Sequence, residues 1–260
     1  MPCTPAPLSI FSLIVTELKA CAVVWCGSVP YSQALGLQMR ICELKKRGYT
    51  RDVLLLLEHP PVITLGRSAD RKNLLADENR LKEKGIDLQE TDRGGDITFH
   101  GPGQLVGYPI MALGAGERDV RNYMRCLEES LIRLLLEFGI ESTRSSGYTG
   151  VWTESGKIAA MGVHISRWIT RHGFALNVST DLSFFDLIVP CGISDRGVTS
   201  MQKLLTHGLS VQSVAEKYIR EFGSVFKRHM IKMDSNGLLS ELDRFEEKGN
   251  PAQLSYIQAD

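Results

Sequence analysis

The sequence predicts an α+β fold, in which a mixed β-sheet is flanked by α-helices. Asp52–Glu58 contains four consecutive leucines, a short apolar run that is typical of a strand buried on both faces. Apolar residues then recur at intervals of three and four from Val120 to Phe138, which predicts a helix lying across a sheet. Strands and helices are mixed without regular βαβ alternation, and this order favours α+β over a doubly wound fold.

The elements before residue 93 are separated by turn residues. A strand over Ala22–Cys26 precedes a helix that reaches about Lys46. Pro60-Pro61 ends the leucine-rich strand, and Val62–Leu65 is expected to resume as its partner strand. The next two elements are a short charged helix and a strand, at Ala76–Lys84 and around Ile86–Gln89.

The second half of the chain contains most of the predicted strands. Asp119 is a candidate N-cap of the long helix, and Gly139 a stop signal for it. A final helix is predicted over about Val211–Met230, and no element is assigned after Met233. The predicted strands are Leu105–Leu113, Val151–Thr153, Lys157–Ser166 and Phe174–Val178.

Length and composition predict one domain, over residues 22–232. Residues 1–21 are interpreted as an N-terminal extension of unknown role, and residues 233–260 as a charged C-terminal tail. The formal net charge of zero gives no sign of a nucleic-acid partner. The apolar run Leu8–Val15 is far shorter than the ~20 residues that span a bilayer, so no membrane association is predicted.

The cysteines are irregularly spaced, which favours reduced thiols and a cytoplasmic location over a disulfide framework. Cys-x-x-Cys, His-x-His and His-Glu-x-x-His motifs do not occur, so neither a metal site nor a cofactor is predicted. Cys21 and Cys26 are interpreted as small buried residues of a strand rather than half of a metal site.

Three features together indicate acyl transfer through a thioester. Cys191 stands between a proline and a glycine at the expected end of a strand, a position that favours an accessible thiol. Lys157 precedes small residues that leave room for a ligand, and a nearby ammonium would lower the pKa of a cysteine nucleophile. The third feature is the glycine-dense Arg93–Gln104 segment, in which Thr98 and His100 would share one face of a strand. Taken singly, the lysine could simply close a turn, and the glycines could form a hairpin loop.

Five motifs resemble the octanoyl-carrier-protein:protein octanoyltransferases of lipoate biosynthesis, and they occur in the order found in that family. The resemblance covers about residues 22–230. The motifs are RGGDITFHGPGQ (93–104), KIAAMG (157–162), HGFALN (172–177), PCGI (190–193) and VTSM (198–201).

The resemblance implies the fold of biotin and lipoate protein ligase catalytic domains. It also implies transfer of an octanoyl group, with Cys191 as the acyl-carrying nucleophile and Lys157 as its acid/base partner. The implied donor is octanoyl-acyl carrier protein. The implied acceptors are lysines of lipoyl domains in 2-oxoacid dehydrogenase E2 subunits and of glycine cleavage protein H. The implied substrate-binding residues are Arg93, Gly94, Gly95, Asp96, Ile97, Thr98, Phe99, His100, Ala160, Met161, Gly162, Gly173, Phe174 and Ala175.

Further expectations concern the acyl slot and the oxyanion. Ile97, Phe99, Met161 and Phe174 are expected to wall the slot for the acyl chain, and the backbone N–H of Gly192 is a candidate donor to the tetrahedral oxyanion. The alternatives are an ATP-dependent ligase on the same fold, a non-catalytic carrier-protein-binding module and a thioesterase.

Overall fold

A computed structural model of the chain describes residues 18–189, 197–205 and 208–248. Cys191 and Gly192 therefore lie outside the described residues. The helices are α1 (Tyr31–Lys46), α2 (Glu78–Glu83), α3 (Val120–Glu137), α4 (Met201–Leu204), α5 (Val211–Phe226) and α6 (Ser235–Lys248). The strands are β1 (Lys19–Ser28), β2 (Asp52–Glu58), β3 (Val62–Leu65), β4 (Asp87–Glu90), β5 (Ile97–His100), β6 (Gln104–Ile110), β7 (Thr143–Ser145), β8 (Tyr148–Thr153), β9 (Gly156–Ser166), β10 (Ile169–Asn177) and β11 (Arg228–Met233).

Eight strands form the large sheet, in the order β11-β1-β2-β6-β10-β9-β8-β7. Strand β1 runs parallel to both of its neighbours, and the remaining pairs are antiparallel. The sheet is therefore mixed, as the sequence predicted.

Helices cover both faces of this sheet, and β2 shows why its sequence is apolar throughout. Leu54 and Leu56 pack in a cluster with α3 and α5, whereas Leu55 and Leu57 pack on the opposite face with α1 and α6. A strand buried on both faces needs apolar residues at consecutive positions. The predicted α+β fold, a mixed sheet flanked by helices, is confirmed.

A smaller sheet has the order β4-β3-β5, and its position corrects one prediction. Val62–Leu65 is a strand, but it pairs in parallel with β4 and antiparallel with β5 rather than with the leucine-rich β2. Pro60-Pro61 lies between the two strands. Because proline fixes φ and lacks an N–H, the chain leaves the first sheet there and begins a second one.

The predicted ends of α3 are confirmed, while the predicted end of α5 is wrong. The Asp119 carboxylate accepts a hydrogen bond from the backbone N–H of Asn122 at 3.0 Å, and Gly139 follows α3 with a φ of +72°. Helix α5 ends at Phe226 because Lys227 adopts a left-handed conformation. The next residues, including Met230, form β11 at the sheet edge instead of a last helical turn.

The chain after Met233 forms α6, where the sequence suggested no element. Leu238 and Leu242 occupy one face of this helix and are buried against α1 and the sheet. Arg40 of α1 forms ion pairs with Asp243 at 2.6 Å and with Glu246 at 2.9 Å. The folded body thus extends to residue 248. In the ranges that the structure describes, no helix is long and apolar enough to cross a membrane.

Candidate active site

A pocket with about 450 Å³ of free space, part of it open to solvent, lies between the two sheets. Its walls come from β9 and β10 of the large sheet, from β5 of the small sheet and from the loop before β5. The lining residues are Tyr31, Arg93, Gly95, Asp96, Thr98, His100, Tyr108, Ala160, Met161, Gly162, His172, Gly173, Phe174 and Ala175. Most residues that the sequence singled out for substrate binding are therefore brought together in one place.

Gly94, Ile97 and Phe99 are not among the residues that line this pocket. Alternation along β5 directs Thr98 and His100 toward the pocket, whereas Ile97 and Phe99 are buried in a hydrophobic cluster on the other face. The Phe99 ring stacks on Phe184 with a centroid distance of 4.7 Å. Gly94 lines an adjacent open cleft. Substrate contacts by these three residues stay predictions.

The glycines of the site allow backbones to touch. A Cβ on Gly173 would overlap the carbonyl oxygen of Gly107, and one on Gly162 would lie 2.5 Å from the carbonyl oxygen of Gly94. The Gly94 N–H donates to the Val163 carbonyl at 2.9 Å, so the glycine-rich loop lies directly on β9. Side chains at these glycines would separate the walls of the pocket.

A β-bulge in β9 sets the direction of Lys157. Trp152 of β8 pairs with Lys157, but the preceding Val151 pairs with Ala159, so Ile158 is an extra residue in β9. Ile158 and Ala159 are consequently both buried in the main core, while Lys157 and Ala160 both line one small cavity. Strict alternation would have placed Ala159 on the same face as Lys157.

Lys157 is buried, and contacts along its whole length hold it. Its Nζ lies 4.8 Å from the centre of the Trp152 ring, a cation–π contact. Its backbone N–H donates to the Gly197 carbonyl at 2.9 Å, and its carbonyl accepts from the Thr199 N–H at 2.9 Å. Lys157 also lines the open cleft of about 1050 Å³ beside the glycine-rich loop.

The segment that contains Cys191 is anchored at both of its described ends. The Val189 N–H donates to the Asn73 carbonyl at 2.7 Å, and Gly197 accepts from Lys157 as described. Cys191 itself lies outside the described residues, so its role as the nucleophile stays a prediction.

The four described cysteines are free thiols with raised pKa values. Burial raises the pKa of Cys21 to about 12 and that of Cys26 to about 11, and it also raises the pKa values of Cys42 and Cys126. These thiols stay protonated near neutral pH and are poor nucleophiles.

A chain of buried hydrogen bonds forms the polar wall of the pocket. The Arg93 guanidinium donates to the Thr64 hydroxyl at 2.8 Å, and this hydroxyl lies 3.5 Å from His100 Nε2. His100 Nδ1 lies 2.7 Å from the Gln104 side-chain oxygen. The Gln104 amide donates to the Asn177 oxygen at 2.9 Å, and the Asn177 amide donates to the Thr199 carbonyl at 3.0 Å. These hydrogen bonds therefore connect the glycine-rich loop to Thr199, whose backbone N–H donates to the Lys157 carbonyl.

The direction of these hydrogen bonds fixes the protonation of His100. The Gln104 nitrogen donates to Asn177 and to the Phe99 carbonyl, so its oxygen must accept from His100 Nδ1–H. Burial, and then the neighbouring His59 and Arg93, lower the pKa of His100 to about 3. The imidazole is consequently neutral, and its Nε2 accepts from the Thr64 hydroxyl.

The sequence did not single out Tyr31, Tyr108 and His172 for this site. Tyr31 begins α1 and Tyr108 lies in β6, so they meet the pocket only through the tertiary fold. His172 belongs to a quoted motif and has a positive φ of 56°. Its Nε2 lies 2.8 Å from Asp92 Oδ1, and its backbone N–H donates to Gln38 at 2.7 Å, which fixes the bend before Gly173. No group of His, Cys, Asp and Glu in the described part of the chain could hold a metal ion.

A protein-family model for the lipoyl protein ligase A/B catalytic domain matches residues 30–223. The chain belongs to this family. A curated octanoyltransferase of Koribacter versatilis is 53% identical over 219 residues, covering 82% of this chain and 87% of the relative. One from Acidobacterium capsulatum is 50% identical over 232 residues, covering 83% and 94%. The predicted resemblance to octanoyltransferases is confirmed.

Solved structures show the same fold at low sequence identity. A lipoate-protein ligase A bound with ATP has a TM-score of 0.71 at 16% identity and covers 88% of this chain and 95% of its own. A putative lipoate protein ligase from Thermoplasma acidophilum with bound lipoic acid has a TM-score of 0.67 at 15% identity, covering 87% and 94%. The predicted likeness to lipoate ligase domains is confirmed at the level of the fold.

Proposed function

We propose that this chain transfers an octanoyl group from octanoyl-acyl carrier protein to a lysine of a lipoyl domain or of glycine cleavage protein H. The group passes through a thioester on Cys191, with Lys157 as acid/base partner. The observation that carries the proposal is the position of Lys157, which lines a small cavity that shares Thr98, Ala160 and Ala175 with the pocket. The close relatives named octanoyltransferases support the same reaction.

The pocket suits a saturated acyl chain. Small and apolar side chains of β9 and β10 line one side. On the other side His100 is neutral, and the charged side chains of the lining are Arg93 and Asp96. Burying the seven saturated carbons of an octanoyl group would contribute about 5.6 kcal/mol, at ~0.8 kcal/mol per methylene.

In the first half-reaction the Cys191 thiolate attacks the carrier thioester. A new carbon–sulfur bond forms, the bond to the carrier thiolate breaks, and the proton taken from Cys191 by Lys157 passes to the leaving thiol. One thioester replaces another, so no ATP is consumed.

In the second half-reaction the acceptor lysine attacks the octanoyl–Cys191 thioester. A lysine of pKa ~10.4 is almost wholly protonated at pH 7, a handicap of more than ~4 kcal/mol. Lys157, as base, takes a proton from the attacking amine and passes it to the departing Cys191 sulfur as the carbon–sulfur bond breaks. An amide forms, and the Cys191 thiol is regenerated.

An ATP-dependent ligase is the main alternative, because ligases share this fold. Transfer to an apo lipoyl domain should therefore be measured with octanoyl-carrier protein alone and with ATP plus free octanoate. The proposal expects product only from the carrier thioester. Product only from ATP and octanoate would identify a ligase, and no product from either substrate would favour a non-catalytic binding module.

Two variants test the residue roles. Cys191→Ser should abolish transfer. Lys157→Met keeps an unbranched side chain against Trp152 but removes the amine, so transfer should fall at least about 100-fold in the range of general acid/base effects, without unfolding. A Lys157→Met enzyme with the wild-type rate across pH would contradict the acid/base role.

A further inference from the structure

The pocket and the small cavity beside Lys157 meet at three residues. Thr98, Ala160 and Ala175 line both spaces. If the acyl chain fills the pocket and Lys157 serves the reacting group from the small cavity, the thioester carbonyl must lie beside these three shared residues, here called the junction. Of the residues at this junction, Thr98 alone has a polar side chain.

The Thr98 hydroxyl is available to a ligand. Thr98 lies in β5 directly opposite Thr64, whose hydroxyl is engaged by Arg93 and His100. Within the described ranges the Thr98 hydroxyl makes no side-chain hydrogen bond. It is also not one of the fully buried polar atoms that lack a partner, so a ligand can reach it. Thr98 is only 8% exposed. A hydroxyl in such a position gains most from a partner that a bound substrate supplies.

A second junction, between the pocket and the open cleft, is less suited to a developing negative charge. Its lining includes Asp96, whose carboxylate would repel an oxyanion. The Asp96 carboxylate instead accepts hydrogen bonds from the Asn73 side chain and the Asp70 N–H. The geometry therefore favours the Thr98 side.

We propose that Thr98 is a catalytic residue that donates its hydroxyl hydrogen to the acyl oxygen as this oxygen becomes negative in the tetrahedral intermediate. No bond to Thr98 is made or broken, and the donor serves both half-reactions. The proposal rests on the proposed function, since only an acyl-transfer intermediate places an oxyanion at this junction. Removal of one such donor lowers the rate constant of acyl transfer by about 10²- to 10³-fold.

The test compares Thr98→Val, which keeps the branched shape but has no hydroxyl, with Thr98→Ser, which keeps the hydroxyl. Single-turnover acylation of Cys191 by octanoyl-carrier protein is measured by intact mass. Alkylation of the same thiol by iodoacetamide serves as the control, because this displacement forms no tetrahedral oxyanion. The expected result is that Thr98→Val slows acylation about 100-fold or more with alkylation unchanged, while Thr98→Ser stays within about tenfold of wild type.

The proposal is overturned if Thr98→Val acylates within about threefold of the wild-type rate. It is also overturned if Thr98→Val slows acylation and alkylation together, because the residue would then act on the thiol or the fold. A third contradicting result is a Thr98→Ser acylation rate as low as that of Thr98→Val. Absence of an octanoyl adduct in the wild-type enzyme is a different outcome, which would refute the proposed function and this role with it.

Discussion

Gln104 is the central member of the buried hydrogen-bond chain, so its removal gives a sharp test of that chain. Gln104→Leu has similar size but loses hydrogen bonds to His100, Phe99 and Asn177. A buried polar group left without a partner costs about 1–3 kcal/mol. At about 2 kcal/mol for each of three such groups, less a gain of about 1–2 kcal/mol from the apolar leucine, the expected loss in the free energy of unfolding is about 4–5 kcal/mol.

The assay is urea denaturation followed by fluorescence and circular dichroism. With an m-value of about 2.5 kcal/mol/M, the expected loss lowers the midpoint by about 1–2 M urea. Gln89→Leu is the matched control. This residue lies on β4, where its amide donates to the exposed Asp87, and its substitution should change stability by no more than about 0.5 kcal/mol. If Gln104→Leu lowers the free energy of unfolding by less than about 1 kcal/mol, the buried hydrogen bonds do not hold the pocket wall.

Two further predictions concern protonation and substrate length. Burial lowers the pKa of His59 to about 4 from an ordinary value of 6.5, so as pH falls the unfolded state takes up a proton first. Stability should therefore fall between about pH 6.5 and 4, by about 3 kcal/mol for this residue. Urea midpoints across this range should show a shallower slope for His59→Gln, and an unchanged slope would contradict the assignment. A hexanoyl donor lacks two methylenes, whose burial is worth about 1.6 kcal/mol, so its kcat/KM should be about 15-fold below that of the octanoyl donor. Equal kcat/KM values would show that the acyl chain of the donor is not buried.

Local signals in the sequence were sufficient for most of the fold. Consecutive leucines identified the doubly buried β2, and the cap and stop residues identified the ends of α3. The partner of β3 could not be inferred, because Pro60-Pro61 shows that a strand ends but not which sheet the chain joins next. The end of α5 could not be predicted either, because Lys227 adopts the left-handed conformation that is usually found at glycine or asparagine.

The site was predictable where one segment carries several of its residues, and unpredictable where the fold assembles it. The alternation in β5 placed Thr98 and His100 together as expected. The bulge at Ile158 cannot be predicted from the sequence KIAAMG, yet it directs Lys157 and Ala160 toward one cavity. Tyr31 and Tyr108 belong to elements far apart in sequence, and only the pairing of β6 with β10 and the position of α1 bring them to the pocket.

The most direct test of the central claim is intact-mass analysis of the wild-type chain after mixing with octanoyl-carrier protein. The proposed mechanism predicts one added octanoyl mass on Cys191 that hydroxylamine removes. It also predicts that the adduct disappears, without ATP, when an apo lipoyl domain is supplied and becomes octanoylated. Octanoylation of the lipoyl domain with no adduct on Cys191 at any time during the reaction would contradict the covalent mechanism.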